Sequence, residues 1–217
     1  MGKAKSNKIA LIGQTDVVKA RFVALLKEDD SLPQGDVWPQ RRDTLVHQLS
    51  AQEGPSLTIV DLPSICQSPA ILEWMDDSRH SVLSNAEKLT QFITTHSTKE
   101  EFADELLAIK SATESDAIVY MLDGNRPYRR HLLADLKLLS HLAVPKIIMI
   151  AFDEPSEQSN RKISHINAWL TVLADFGLPV VTLNLSDGRR QTRLDVLTTL
   201  KNNLPLLASG ITAYTDY

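Results

Sequence analysis

Short apolar runs alternate along this chain with stretches in which apolar residues recur at helical spacing. Five of the runs are continuously apolar, which is typical of strands that are covered on both faces of a sheet. They are residues 9–12, 57–60, 117–122, 146–150 and 180–185, and residues 44–49 form a weaker, alternating candidate. Because helical stretches lie between the runs, the pattern predicts βαβ units and an α/β fold with a mainly parallel sheet between helix layers.

The helical stretches differ in how clearly they can be delimited. Residues 16–27 and 155–176 are the clearest, 128–142 and 189–204 are also predicted helices, and 67–98 holds only fragments at 70–75 and 85–94. Ser97, followed three residues later by Glu100, has the form of a capping box and predicts a helix start. The predicted inward residues are Val17, Phe22, Val23, Leu25 and Leu26 in the first helix, and Ile163, Ile166, Trp169, Leu170 and Leu173 in the second.

Composition limits the classes of protein that this chain can represent. With 217 residues, 43% hydrophobic and 23% charged, the chain is suited to one globular domain, and a net charge of −4 does not favour nucleic-acid binding. Cys66 is the sole cysteine and no apolar run approaches the length of a membrane span, so we expect a reducing, cytoplasmic setting. The predicted organisation is a flexible basic leader (1–7), one domain (8–206) and a tail (207–217).

The segment GQTDVVKA (residues 13–20) stands between the first apolar run and the first helix, where a P-loop would stand. Gly13 and Lys19 match the pattern G-x-x-x-x-G-K-[ST]. Val18 replaces the second glycine, at which the backbone must approach a phosphate closely. Ala20 has no hydroxyl for Mg²⁺, and Asp16 adds a negative charge that disfavours an anionic ligand. The sequence therefore predicts a phosphate loop with altered chemistry.

Other polar segments follow the later strands, at the edge where a doubly wound sheet binds its ligands. They are DLPS (61–64), DGNRP (123–127), AFDEP (151–155) and SDGRR (186–190). The six histidines and Cys66 show no metal-ligand spacing, and no nucleophile elbow surrounds Ser64 or Cys66. We therefore predict no metal site and no catalytic residue. Asp123 is interpreted as a turn residue before Gly124.

In order and spacing, KIALIGQTDVVKA, LTIVDLPS, SDAIVYMLDGNRP and VPKIIMIAF resemble an Era-like P-loop GTPase domain. The likeness is greatest to the N-terminal half of a bacterial group of GTPase-like proteins and covers roughly residues 8–185. It implies a three-layer G-domain fold whose mostly parallel sheet has one antiparallel strand. It also implies a vestigial nucleotide site of Gly13, Asp16, Lys19, Ala20, Asp61 and Asp153. Ser64 replaces the glycine of D-x-x-G, and the guanine-reading Asn-Lys pair is missing before Asp153.

This resemblance implies a pseudo-GTPase that does not hydrolyse GTP and acts as a regulatory or protein-interaction module. We expect no cofactor, with GTP or GDP bound weakly at most, and a protein partner such as a true GTPase or a second copy. The candidate partner contacts are Trp38, Arg41 and Arg42 in the loop at 31–43, and Arg189 and Arg190 near the last helix; residues 67–98 form a second candidate surface. Alternatives are a divergent nucleotide switch or weak GTPase that uses Lys19, and a different doubly wound domain.

Two residues keep two interpretations each at this point. Lys19 either contacts a phosphate, or faces solvent or pairs with Asp16 or Asp61. Asp61 either binds a metal ion or caps the loop that follows its strand.

Overall fold

Six strands form one sheet in the computed structural model, which describes residues 7–13, 15–28, 44–49, 56–152, 159–185 and 190–215. The strands are β1 (Asn7–Gly13), β2 (Leu45–Leu49), β3 (Leu57–Asp61), β4 (Ala117–Asp123), β5 (Lys146–Phe152) and β6 (Val180–Asn184). Their order is β2-β3-β1-β4-β5-β6, in which β2 and β3 pair antiparallel and the other neighbours pair parallel. The predicted fold class, with its single antiparallel strand, is confirmed.

Helices cover both faces of this sheet. The α-helices in the described residues are α1 (Asp16–Lys27), α2 (Ser68–Asp76), α3 (Asn85–His96), α4 (Ala103–Thr113), α5 (Leu132–Ser140), α6 (Ser159–Leu173), α7 (Arg190–Asn203) and α8 (Ala208–Thr215). Short 3-10 helices occur at Ser78–His80, Glu100–Phe102, Ala174–Phe176 and Pro205–Leu207. Gly177 ends the helical stretch that begins in α6, with a left-handed φ of 61°.

Two hydrophobic clusters, one on each face of the sheet, explain why the strands read as continuous apolar runs. Ile9 and Leu11 of β1 belong to the cluster that holds α1, α7 and α8. Ala10 and Ile12 belong to the other cluster, which holds α2 to α6. Because successive side chains of a strand point to opposite faces, a sheet covered on both sides needs apolar residues at every position.

The helix predicted to start at Ser97 starts elsewhere, so that prediction was wrong. The capping box belongs to Ser84 and Glu87, whose side chain and backbone groups bond reciprocally at the start of α3. Ser97 instead follows the end of α3, and α4 begins at Ala103 after a 3-10 turn. The same four-residue pattern, S-x-x-E, occurs four times in the sequence, and local spacing does not distinguish the copy that caps a helix.

Helix α6 buries a narrower stripe than its periodicity predicted. Trp169 and Leu173 are buried and Ile166 is half-buried, as expected. Ile163 and Leu170 are 52% and 38% exposed, so their predicted inward orientation was wrong. Helix α5 also begins at Leu132 instead of residue 128, because a non-helical connection of turns and irregular backbone occupies residues 124–131 after β4.

The C-terminal residues, for which the sequence predicted a tail from residue 207, return to the core. Leu207 and Ile211 are buried in the cluster that holds α1. The Tyr214 hydroxyl donates a 2.6 Å hydrogen bond to the carbonyl of Leu26, near the end of α1. The Arg193 guanidinium donates to the same carbonyl and lies 4.6 Å from the centre of the Tyr214 ring. Helix α8 therefore stabilises the end of α1.

Replacing Tyr214 with Phe is expected to lower the free energy of unfolding by about 1 kcal/mol, because the hydrogen bond to Leu26 is lost and the ring remains. Urea unfolding measures this change. Tyr128→Phe is the matched control, since the ring of Tyr128 packs edge-on against Trp169 and its hydroxyl makes no hydrogen bond within the described part of the chain. Equal effects of the two substitutions would show that α8 is not anchored through the Tyr214 hydroxyl.

Candidate phosphate-loop site

The connection between β1 and α1 is shorter than the P-loop pattern suggests. Gly13 is the last residue of β1 and α1 begins at Asp16, so Asp16, Val17 and Val18 are helical. Val18 is buried in the hydrophobic cluster beneath the sheet. The position that corresponds to the second glycine therefore contributes to the core. In a P-loop, the equivalent backbone wraps the phosphates.

Lys19 is the most buried charged side chain of this region, with 1% of its surface exposed. Its ammonium nitrogen lies 3.1 Å from Oδ1 of Asp16 and 2.7 Å from Oδ1 of Asp61. It also donates to the backbone carbonyl of Leu62. Three oxygens of the chain therefore surround the ammonium group, and the contact with Oδ1 of Asp61 is a close ion pair without hydrogen-bond geometry. Of the two interpretations of Lys19, the structure shows the pairing with Asp16 and Asp61.

Carboxylates of the chain already neutralise the positive charges that a phosphate would neutralise, namely the Lys19 ammonium and the start of α1. Asp16 lies in the first turn of α1, where the positive end of the helix dipole favours an anion. Burial raises the pKa of Asp61, the Lys19 ammonium acts in the opposite direction, and the Asp16 carboxylate raises the pKa again. A phosphate placed here would meet two carboxylates instead of an unshared ammonium, and like charges at such distances repel strongly.

The packing of two neighbouring strands, and not a phosphate, explains why residue 13 is a glycine. It pairs with Met121 of β4, and a Cβ at residue 13 would lie 2.8 Å from the Met121 carbonyl oxygen and 2.9 Å from its Cβ. Contacts this short require the two strands to shift. The glycine therefore permits the close approach of β1 and β4.

Gly13→Ala is expected to lower the free energy of unfolding by about 1–3 kcal/mol, because the added methyl overpacks two central strands. Denaturant unfolding measures the loss. Gly177→Ala is the matched control, since a Cβ there meets no atom within 4 Å and only the left-handed backbone opposes it. That control should cost about 1 kcal/mol. A Gly13→Ala variant as stable as the natural chain would contradict the packing explanation.

The loop after β3 is bound to the last residue of β1 and to α4. The Ser64 hydroxyl donates a 2.9 Å hydrogen bond to the carbonyl of Gly13. Further along, one carboxylate oxygen of Glu105 accepts from the backbone N–H groups of Cys66 and Gln67, each at 2.9 Å. Glu105 is buried in α4. Glu105 was not among the predicted residues, because no local pattern connects it to a loop 38 residues earlier.

A second buried carboxylate lies beside the start of α2. The Tyr120 hydroxyl donates a 2.9 Å hydrogen bond to Asp135, which is 5% exposed. Burial raises the pKa of Asp135 to about 6, although the hydroxyls of Ser68 and Tyr120 lower it. Desolvation and the Asp135 charge also raise the pKa of Tyr120. The Cys66 thiol, next to these acids, has its pKa raised by burial and by Glu105.

The remaining predicted residues are distributed around the same edge of the sheet or lie outside the described part of the chain. Ala20 is half-buried on α1, and Arg190 is exposed at the start of α7. Asp123 holds a turn by accepting from the N–H of Asn125 and pairing with Arg126 at 3.0 Å, as interpreted from the sequence. Outside the described residues are Trp38, Arg41, Arg42, Asp153 and Arg189.

The described residues contain neither a metal-binding cluster nor a membrane-spanning helix. Within the described ranges, no three His, Cys, Asp or Glu side chains are grouped in a way that could hold a metal ion. None of the helices in those ranges has both the length and the apolar character that crossing a bilayer requires.

Comparison with solved structures identifies the fold class of this architecture. No family model and no curated protein matches the sequence. Era in complex with MgGDPNP and nucleotides 1506–1542 of 16S ribosomal RNA superimposes with a TM-score of 0.58 at 16% identity. The chain has a G-domain fold. Aquifex aeolicus Era bound to GDP and AlF4⁻ gives a TM-score of 0.57 at 15% identity, and the Methanococcus maripaludis elongation factor SelB with a GTP analogue gives 0.51 at 13%.

The superpositions cover nearly all of this G-domain but only part of each other protein. The two Era superpositions cover 93% and 91% of this chain but 58% and 56% of the Era chains. The SelB superposition covers 94% of this chain and 35% of SelB. The chain thus spans little more than half the length of the Era structures. At these identities the likeness establishes the fold and leaves the activity to be argued from the site.

Proposed function

We propose that this protein is a pseudo-GTPase: a G-domain that does not hydrolyse GTP and acts as a regulatory or protein-interaction module. The observation that carries the proposal is the state of Lys19, whose buried ammonium group is ion-paired with Asp16 and Asp61 and donates to the Leu62 carbonyl. The lysine that would meet a nucleotide in a P-loop is here a buried structural cation. The domain needs no nucleotide to satisfy it.

The other altered positions support the same proposal. Phosphoryl transfer in P-loop enzymes depends almost entirely on positioning and on electrostatic stabilisation. In this G-domain Val18 is a core residue, and Ala20 offers no hydroxyl to Mg²⁺. The hydroxyl of Ser64 binds the Gly13 carbonyl. Val18 and Ser64 thus make contacts within the domain instead of positioning a phosphate.

A divergent nucleotide switch is the second candidate, since Lys19 lies where a phosphate-binding lysine would. Asp16 is its less buried partner, with 16% of its side chain exposed against 10% for Asp61. A nucleotide would have to displace at least Asp16 to reach the ammonium. We propose that the cost of this displacement leaves GTP and GDP bound weakly at most.

Measurement of GTP turnover tests the absence of catalysis. The purified chain with Mg²⁺ is expected to release phosphate from GTP no faster than a protein-free control. Ala20→Ser restores the missing hydroxyl and should change nothing, because Lys19 remains bound to its two carboxylates. Turnover that the serine variant raises would instead identify a GTPase lacking one metal ligand.

The partner that we propose is a protein, either a true GTPase or a second copy of this chain. The candidate contacts are Trp38, Arg41 and Arg42, because tryptophan and arginine are frequent anchors of interfaces. Purification from the native cell, followed by the triple alanine variant, tests this surface. Complexes that survive the triple variant but not Arg189→Ala with Arg190→Ala would assign the contact to the start of α7.

A further inference from the structure

We infer that residues 61–68, here named the clamped segment, hold one conformation whether or not a nucleotide is present. In GTPases the corresponding kind of switch segment is ordered by contacts with the γ-phosphate and Mg²⁺ and is released on hydrolysis. In this chain, contacts within the protein replace that control. The surface at the start of α2 is then presented constantly to a partner.

The amino-terminal half of the clamped segment is tied to β1 and α1. Lys19 holds the Asp61 carboxylate at 2.7 Å and donates to the Leu62 carbonyl. The Leu62 N–H donates a 2.9 Å hydrogen bond to the Leu11 carbonyl, which extends the pairing of β3 with β1 by one residue. The Ser64 hydroxyl adds its bond to Gly13. A glycine at residue 64 could not make this last contact.

The carboxyl-terminal half is tied to α4. Glu105, 3% exposed, accepts from the N–H groups of Cys66 and Gln67 with one carboxylate oxygen. Those N–H groups directly precede α2, so the carboxylate also lies at the positive end of that helix. Bonds between a charged acceptor and backbone donors are stronger than neutral ones. Glu105 thus occupies the anion-binding role at this helix start.

Burial completes the clamp between these two halves. Leu62 and Ile65 are 1% and 6% exposed and pack in the cluster beneath α2 to α6. Moving the clamped segment would expose both side chains and break the bonds of Ser64, Cys66 and Gln67 together. A γ-phosphate makes none of these contacts, so its arrival or loss would not change them.

The regulatory role of the clamped segment rests on the proposed function, whereas its fixed conformation can be measured independently of that function. Amide hydrogen exchange at Cys66 and Gln67 reports directly on the bonds to Glu105. In the natural chain we expect protected amides whose exchange rates are the same with and without 1 mM GTP and Mg²⁺. Glu105→Ala should exchange at least tenfold faster at both amides, as the loss of about 1.4 kcal/mol implies. Glu105→Gln, which keeps an oxygen acceptor, should stay within about threefold.

The outcomes separate the two proposals. Rapid exchange of these amides in the natural chain, with no bound GTP, would overturn the clamp and leave the pseudo-GTPase proposal standing. Exchange that slows when GTP is added would overturn both. Exchange that Glu105→Ala leaves unchanged, in a variant whose unfolding shows it to be folded, would remove Glu105 from the clamp. Ser64→Gly provides a milder variant, for which we expect faster exchange at Ile65 and Cys66.

Discussion

Lys19→Met is expected to lower the free energy of unfolding by about 3–5 kcal/mol, the usual cost of removing one partner from a buried ion pair. The substitution keeps a side chain of similar length but leaves the carboxylates of Asp16 and Asp61 without their cation. It also leaves the Leu62 carbonyl without its side-chain donor. In a P-loop enzyme the equivalent change mainly removes nucleotide binding. Here the loss should appear in urea unfolding of the nucleotide-free protein.

A double variant provides the control for this prediction. Asp61→Asn removes the more buried carboxylate of the pair, so combining it with Lys19→Met should recover part of the lost stability, about 1 kcal/mol or more. Asp61→Asn alone should be destabilising, because among the described residues Lys19 then keeps Asp16 as its one charged partner. If Lys19→Met lowers the free energy of unfolding by less than about 1 kcal/mol, Lys19 contributes no more than a lysine in a surface ion pair, and the prediction is wrong.

Asp135→Asn is expected to remove a pH dependence of stability worth about 3 kcal/mol. The pKa of Asp135 is about 6 in the folded protein against an ordinary value of 3.8. Because the folded state binds the proton more tightly, this group stabilises the fold fully below pH 4. Its contribution is then lost as the pH rises to about 6. Each pKa unit corresponds to about 1.4 kcal/mol, which gives the stated size.

The comparison of the two proteins across pH isolates this group. Asparagine does not ionise and keeps an oxygen that can accept from Tyr120. The variant should therefore gain about 3 kcal/mol relative to the natural chain between pH 4 and pH 7. The charged neighbours that act on Asp135, His131 and Glu105, are the same in both proteins. A stability difference that does not vary with pH would mean that Asp135 ionises as an exposed carboxyl does.

The sequence predicted the sheet well because burial on both faces leaves a strong local signal. Each of the five continuous apolar runs is a strand, and the helix predicted over 16–27 has those bounds in the structure. The three helices between β3 and β4 were harder to predict, since α2 and α3 pack on other helices as well as on the sheet. Their boundaries depend on contacts that no local pattern encodes.

The site was predictable in its residues and only partly in its contacts. Asp16 and Lys19 are three positions apart on one helix, so their pairing could be expected from spacing alone. Asp61 was predicted as a site residue because its segment, DLPS, occupies the expected place in the order of GTPase motifs. Glu105 could not be found in this way, because its bonds are made to backbone groups of a distant loop whose side chains carry no information about it.

Titration calorimetry of the purified chain with GTP, GDP and ATP, with and without Mg²⁺, tests the central claim most directly. The claim is that the carboxylates of Asp16 and Asp61 have taken the place of phosphate around Lys19. We predict no saturable heat with any of the nucleotides at concentrations up to about 1 mM, where a bound state would be worth about −4 kcal/mol. Saturable binding tighter than about 10 μM, roughly −7 kcal/mol, would contradict it.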